Sequence, residues 1–259
     1  MVVFLCTRPE RRGFLKKRDG AGLSLLELPG FSIPELTIPV PERPDSRRAE
    51  QYAEAAKENL RVMRVRTILP ENGFPYRERF REFRVPELRE LTRALGEKLL
   101  LASGGFDGGE AALLCAGSLS GCGAAVLEAL CRSFRDLLLI APGKGEALRE
   151  YLRETRGISA AVNPGPALLA RCRTAVFFQS PPYPVALPAK CLVLDAAPEP
   201  LQNVSGGRRI ETYGITLPPA FRKALPERYD PPSAAVLALG CGALRPDDLT
   251  VLDVRVAGC

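Results

Sequence analysis

The sequence predicts an α/β chain. A smaller α/β segment over residues 1–108 precedes a parallel-sheet domain at 109–218, and a helix and strand at 219–259 return to the first part. Three observations predict this. Apolar runs at 111–116, 136–141, 158–162, 174–178 and 190–195 alternate with segments of helical periodicity, the pattern of a parallel sheet covered on both faces. Within residues 111–131 an apolar run breaks into glycines and resumes at helical spacing, which reads as strand, tight turn and helix. Residues 103–109 hold four glycines in seven positions, the composition of a hinge between parts.

The elements follow in order. Residues 2–6 are a short apolar strand, and the basic segment after them leads into Gly20 and Gly22. Pro29, Pro34, Pro39, Pro41 and Pro44 then favour extended structure with turns over helix. Asp45 and Ser46 offer an N-cap to a helix over 47–65, where Ala and Leu recur at helical spacing. Leu88, Leu91, Leu95 and Leu99 predict a second helix after Pro86, ended by the glycine run. Beyond it, helix 121–134 places Leu127, Leu130, Cys131 and Phe134 on one face, and 146–155 does the same with Leu148, Tyr151 and Leu152. The tail carries a short helix near 233–239 and an apolar strand at 249–256.

The turn Ala116-Gly-Ser-Leu-Ser-Gly-Cys-Gly123 makes the second domain Rossmann-like. Glycines let the backbone bend sharply and approach a ligand, and the helix they open points unpaired N–H groups at an anion. A dinucleotide pyrophosphate would lie over Gly117, Ser118, Leu119, Ser120, Gly121, Cys122 and Gly123, with the amides from Leu119 to Gly123 as donors. The other reading of this turn is a tight strand–helix connection with no ligand. An NAD site has an acidic residue about 20 residues after the glycines, for the ribose hydroxyls. Here Ile140-Ala-Pro-Gly-Lys-Gly145 offers no carboxylate and places Lys144 nearby, which suits the 2′-phosphate of NADP, although a solvated Lys144 at a helix start explains it equally. The missing acid also counts against an S-adenosylmethionine methyltransferase.

That turn resembles the Thr-Gly-x-x-x-Gly-x-Gly fingerprint of short-chain dehydrogenases, with Ala116 in the threonine position. The family's Tyr-x-x-x-Lys pair is not present, since none of the six tyrosines has a lysine four residues later. The order of parts is similar to shikimate dehydrogenases: first domain, glycine hinge, nucleotide domain and short C-terminal return. Phe178-Gln-Ser-Pro-Pro-Tyr183 falls where that family has its Asn-Ala-Thr-Pro turn, and Val193-Leu-Asp-Ala-Ala-Pro198 resembles its Tyr-Asp-x-x-Tyr-x-Pro segment. Residues 1–108 have no counterpart of the family's Ser-x-Ser or its catalytic Asn-Lys and Asp motifs, so the resemblance implies a layout and not a substrate.

Further candidates follow from position. Asp195 ends an apolar strand and would project from the carboxyl edge of the sheet, or cap a turn there. Ser180 and Tyr183 would lie beside the nicotinamide, although Pro181, Pro182 and Pro184 also make a rigid turn. Cys122 at a helix N-terminus would be an activated thiol or a small packed residue. Lys57, the one lysine of the first long helix, is a candidate proton-transfer residue or an ordinary surface charge.

Composition narrows the classes. A hydrophobic content of 46% with 25% charged residues excludes disorder over most of the 259 residues. No apolar run approaches the roughly 20 residues that span a bilayer. Residues 1–6 are too short for a signal-peptide core, so a cytoplasmic protein without a membrane partner is expected. There is no histidine, which removes every mechanism that needs an imidazole base and every His-ligated metal. Eight cysteines without a Cys-x-x-Cys pair read as reduced, small core residues. The net charge of +6 concentrates in Arg8, Arg11, Arg12, Lys16, Lys17 and Arg18. That segment would serve a polyanion or be a solvated basic face, and no zinc finger, helix-turn-helix or aromatic sheet motif accompanies it to suggest nucleic acid. The functional expectation is an NADP-dependent oxidoreductase acting on a small molecule. The alternatives are a non-catalytic nucleotide-binding or regulatory protein, or a polyanion binder acting through residues 8–18.

Overall fold

The computed structural model describes residues 1–10, 20–43, 46–107, 109–116, 122–141, 143 and 145–258. In chain order these form β1 (Val2–Pro9), β2 (Gly22–Leu28), β3 (Phe31–Val40), α1 (Arg47–Val62), β4 (Thr67–Pro70), α2 (Leu88–Ala94), α3 (Gly96–Ala102), β5 (Gly109–Cys115), α4 (Cys122–Ser133), β6 (Phe134–Ile140), α5 (Gly145–Arg156), β7 (Ala160–Val162), α6 (Pro166–Leu169) and β8 (Cys172–Phe177). After them come β9 (Val185–Ala186), β10 (Leu192–Asp195), β11 (Val204–Ser205), β12 (Arg208–Thr216), α7 (Pro219–Ala224), α8 (Pro231–Gly240) and β13 (Thr250–Ala257). The chain divides into two compact units, Met1–Leu88 with Leu217–Leu249 and Arg89–Thr216 with Thr250–Cys259. Residues 103–107 belong to the second unit.

The first unit is built on a sheet of order β2-β3-β1-β4, in which β1, β3 and β4 are parallel and β2 is antiparallel to β3. The proline-punctuated segment is therefore a hairpin. Pro29 and Gly30, the latter at φ +88, turn the chain between β2 and β3. Pro34 and Pro39 sit inside β3 without breaking it, each where β3 has a partner on one flank only. β1 pairing starts at Glu35, and β2 pairing reaches no further than Thr37. One sheet face carries Val3, Leu5, Leu36 and Ile38, which α1 covers with Ala49, Ala53, Ala56 and Leu60. α1 starts where the Ser46 side chain accepts from the Ala49 N–H, and it ends at Val62, before the expected 65.

The opposite face carries Phe4, Cys6, Glu35 and Thr37 and is covered by the returning segment. The ring of Phe4 lies 4.6 Å from that of Tyr229, and Phe31 lies 6.1 Å from Phe221. Glu35 is the buried charge here. It accepts from Arg228 Nη2 at 2.6 Å and from the Tyr229 hydroxyl at 2.7 Å, which satisfies a carboxylate that would otherwise be costly to bury.

The second unit contains a mostly parallel seven-stranded sheet of order β13-β12-β10-β8-β5-β6-β7, with β13 antiparallel to β12. Numbered by sequence, its six parallel strands run 3-2-1-4-5-6, an order compatible with a Rossmann-like domain. α3 and α4 pack on one face. Gly96 makes that packing possible, because a Cβ there would lie 3.1 Å from both Leu194 Cδ2 and Val126 Cγ2. The single helix expected after Pro86 is two, α2 and α3, broken at Leu95. The other face is covered by the short α6 and by extended chain around β9 and β11, with Leu169, Val185 and Leu187 against Leu113, Cys115, Ala175 and Phe177.

The apolar run near 249–256 forms β13 and pairs with β12, a strand the sequence reading did not anticipate. Among the described residues no helix is long and apolar enough to cross a membrane, and no three metal-ligating side chains cluster.

Candidate functional site

Of the expected site residues of the second unit, Asp195 and Ser180 lie at the carboxyl edge of the seven-stranded sheet. β5 lies mid-sheet, hydrogen-bonded to β6 on one side and β8 on the other. Its connection through α4 goes to one face, whereas the chain leaving β8 goes to the other. The direction of the connections thus reverses between β5 and β8, the position at which open α/β sheets bind ligands. Ladder bonds reach the edge: Phe178 N donates to Cys115 O at 2.9 Å, and Ala116 N to Ile140 O at 3.1 Å.

Residues 117–121 join β5 to α4. Gly117, Ser118, Leu119, Ser120 and Gly121 lie outside the described residues, as do Lys144 and the basic positions 11–18. Cys122 is the first residue of α4, and Gly123 is buried in its first turn.

Asp195 ends β10 at this edge, with both oxygens engaged. Oδ1 accepts from Ala197 N at 3.2 Å, and Oδ2 lies 3.5 Å from Arg89 Nη1, which also donates to Ala197 O at 3.4 Å. Ser180, just beyond β8, accepts from Gln202 N at 3.1 Å. Asn203, in the left-handed region at φ +61, donates through Nδ2 to Pro181 O at 3.2 Å. Ser180 therefore pins the loop that follows β10 against the loop that follows β8. Asp195 and Ser180 come to the same edge on adjacent parallel strands, since Asp195 is in register with Phe177. Lys57 belongs to the first unit, where it is paired along α1 with Glu54.

Arg89, Arg93, Thr92 and Tyr213 at this edge escaped sequence reasoning. α2 presents Arg89 and Arg93, one helical turn apart, to the ends of β10 and β8. Arg93 carries its guanidinium 5.5 Å from the ring centre of Phe178, a cation–π contact. Thr92 and Tyr213 share a hydrogen bond of 2.9 Å, and burial pushes the Tyr213 phenol up to about 12. At the end of β5, burial pushes the Cys115 thiol up to about 12 against the opposing hydrogen bond of Gln179, so Cys115 is an inert packing residue at neutral pH. The Tyr183 hydroxyl is buried beside it with no hydrogen-bond partner among the described residues, and burial raises its proton affinity.

The edge thus combines the switch point of the sheet, two arginines, one ion-paired carboxylate and buried phenols. It is equipped to hold an anion more than to shuttle protons. No protein-family model matches the sequence, and no curated protein matches it.

Proposed function

We propose that the protein binds a dinucleotide, NADP in preference to NAD, across the carboxyl edge of its seven-stranded sheet, and acts as an oxidoreductase on a small anionic molecule. The observation that carries this reading is the strand order, which sets the end of β5 at the switch point beside β8. In this reading Gly117, Gly121 and Gly123 let the backbone approach the pyrophosphate at the start of α4. β6 exits into Ala141 with no carboxylate, and Lys144 lies just ahead of α5, a pairing that suits a 2′-phosphate better than a free ribose hydroxyl. The cofactor would supply or accept a hydride. Arg93 over Phe178, with Arg89 beside it, supplies the positive charge that would orient a carboxylate or phosphate of the substrate.

The test is a calorimetric titration of NADP, NADPH, NAD and NADH into the wild type and Gly121→Val. Selective binding of the phosphorylated pair, lost in the variant, supports the reading. No heat with any of the four at millimolar concentration removes it. A second reading, a nucleotide-binding protein without turnover, is favoured by the ion pairing of the candidate proton-transfer residue Lys57 with Glu54 and of the candidate edge carboxylate Asp195 with Arg89. Binding of NADP without exchange of its hydride against any tested 2-hydroxy or 2-oxo acid would select it.

A further inference from the structure

The opposite, amino edge of the same sheet holds a second cleft. It encloses about 940 Å³ and lies where β5, β8, β10 and β12 begin. That size falls in the range of small-molecule sites. The strands carry the two edges roughly 20 Å apart, taking about 3.3 Å per residue along β8, so the cleft is separate from the carboxyl edge.

Its charge is one-sided. Arg173 at the start of β8, Lys190 just before β10 and Arg208 at the start of β12 line it, all exposed, and none has an ion-pair partner among the described residues. Arg171 at the same rim is spent on Glu110 at 2.9 Å and Asp136 at 3.0 Å. The one other acid on the lining is Asp107. Strand register brings the three cations together: Thr174, Leu192 and Arg208 are aligned across β8, β10 and β12. The charges of Arg173 and Arg208 both bear on the buried Cys191 thiol, opposing the burial that pushes it up to about 12.

The wall is built and pinned. Residues 103–109, which read as a hinge in the sequence, contribute Gly104, Gly105 and Gly109 to the lining. Gly104 is at φ +72, and a Cβ on Gly105 would lie 3.0 Å from Leu100 O and Leu192 Cδ2. A Cβ on Gly109 would lie 2.5 Å from Arg173 Cγ, so glycine at this position lets the arginine lie across the start of β5. The Thr174 hydroxyl, in a residue 1% exposed, donates to Gly105 O at 2.6 Å and ties this wall to β8. Arg173 and Arg208 at strand starts and Lys190 just ahead of β10, without an ion-pair partner among the described residues, thus line a cleft whose glycine wall is pinned to β8.

We propose that this amino-edge cleft is a binding site for a compact, multiply charged phosphate chain, held by Arg173, Lys190 and Arg208. Guanidinium forks match phosphate oxygens, and three cations match an anion of several charges. The proposal does not depend on the dinucleotide reading.

The probe is sodium tripolyphosphate, titrated calorimetrically into the whole protein at low ionic strength. One site per chain is expected, with affinity falling about tenfold for each of Arg173→Ala and Arg208→Ala, as expected for a hydrogen bond to a charged group. Arg149→Ala, which removes an exposed cation paired with Glu146 on α5, should leave the affinity unchanged. Circular dichroism melts check that each variant folds, and NADP titration of the same variants keeps the two edges distinguishable. A parallel titration with adenosine triphosphate separates the sources. Tighter binding than tripolyphosphate assigns a nucleotide and equal binding a free phosphate chain, and either outcome upholds the site. No binding of tripolyphosphate, equal weakening by Arg149→Ala, or binding of heparin alone would overturn it.

Discussion

Replacing Tyr229 by Phe removes one oxygen from the interior of the first unit and leaves the ring in place. Tyr229 is 1% exposed, its ring packs 4.6 Å from that of Phe4, and its hydroxyl donates to Glu35 Oε1 at 2.7 Å. Glu35 keeps Arg228 at 2.6 Å, so the variant loses one hydrogen bond to a charged acceptor and creates no cavity, a cost of about 2 kcal/mol. Burial first, and then the bond to Glu35, raise the phenol's proton affinity well above its ordinary value. The folded state therefore retains a proton that the unfolded chain releases near pH 10. The stability that Tyr229 contributes is complete below that pH and is lost above it, by up to about 1.4 kcal/mol per pH unit.

Urea denaturation of wild type and Tyr229→Phe, followed by far-ultraviolet circular dichroism at pH 7 and at several values above pH 10, measures both effects. Circular dichroism is the suitable signal because the chain has no tryptophan and tyrosine emission changes with the substitution itself. The midpoint should fall at pH 7 with the urea dependence unchanged. The variant's alkaline loss should be shallower than that of the wild type. A difference below about 0.5 kcal/mol at pH 7, within the range of an ordinary surface change, would refute the buried acceptor, and parallel alkaline limbs would refute the raised phenol.

Thr174→Val should cost about 1–2 kcal/mol, because it leaves Gly105 O without its donor, and should weaken tripolyphosphate binding through the displaced wall; calorimetry and melting measure the two effects. Gly96→Ala should destabilise by about 1 kcal/mol in a melt, since the crowding at Leu194 and Val126 outweighs the gain in helix propensity. In native protein at pH 8, iodoacetamide should label Cys241 and spare Cys115, Cys172 and Cys191, whose thiols burial holds up to about 12. Peptide mass spectrometry before and after urea checks this, and labelling of the three without denaturant contradicts their burial. Asp195→Asn should cost under about 1 kcal/mol, because its partner Arg89 is partly exposed and Ala197 N keeps an acceptor.

What was legible in the sequence was whatever a short window contains. β5, β6, β8 and β10 are buried on both faces, so they read as continuous apolar runs, and Leu88, Leu91, Leu95 and Leu99 keep helical phase through the break at Leu95. β12 was invisible because its pairing with β13 shifts register between Ile210 and Thr212 and again between Thr212 and Gly214. No strict alternation survives those shifts on a strand that is half exposed. The candidate sites were harder still, because their members are brought together by pairing and not by spacing. Arg228 lies 193 positions from Glu35, and Arg173, Lys190 and Arg208 are unremarkable cations until β8, β10 and β12 align in register. Even the glycine run at 103–109 showed only permissiveness: a missing Cβ serves a hinge and a close-packed wall equally, and the Thr174 hydroxyl that ties Gly105 to β8 lies far along the chain.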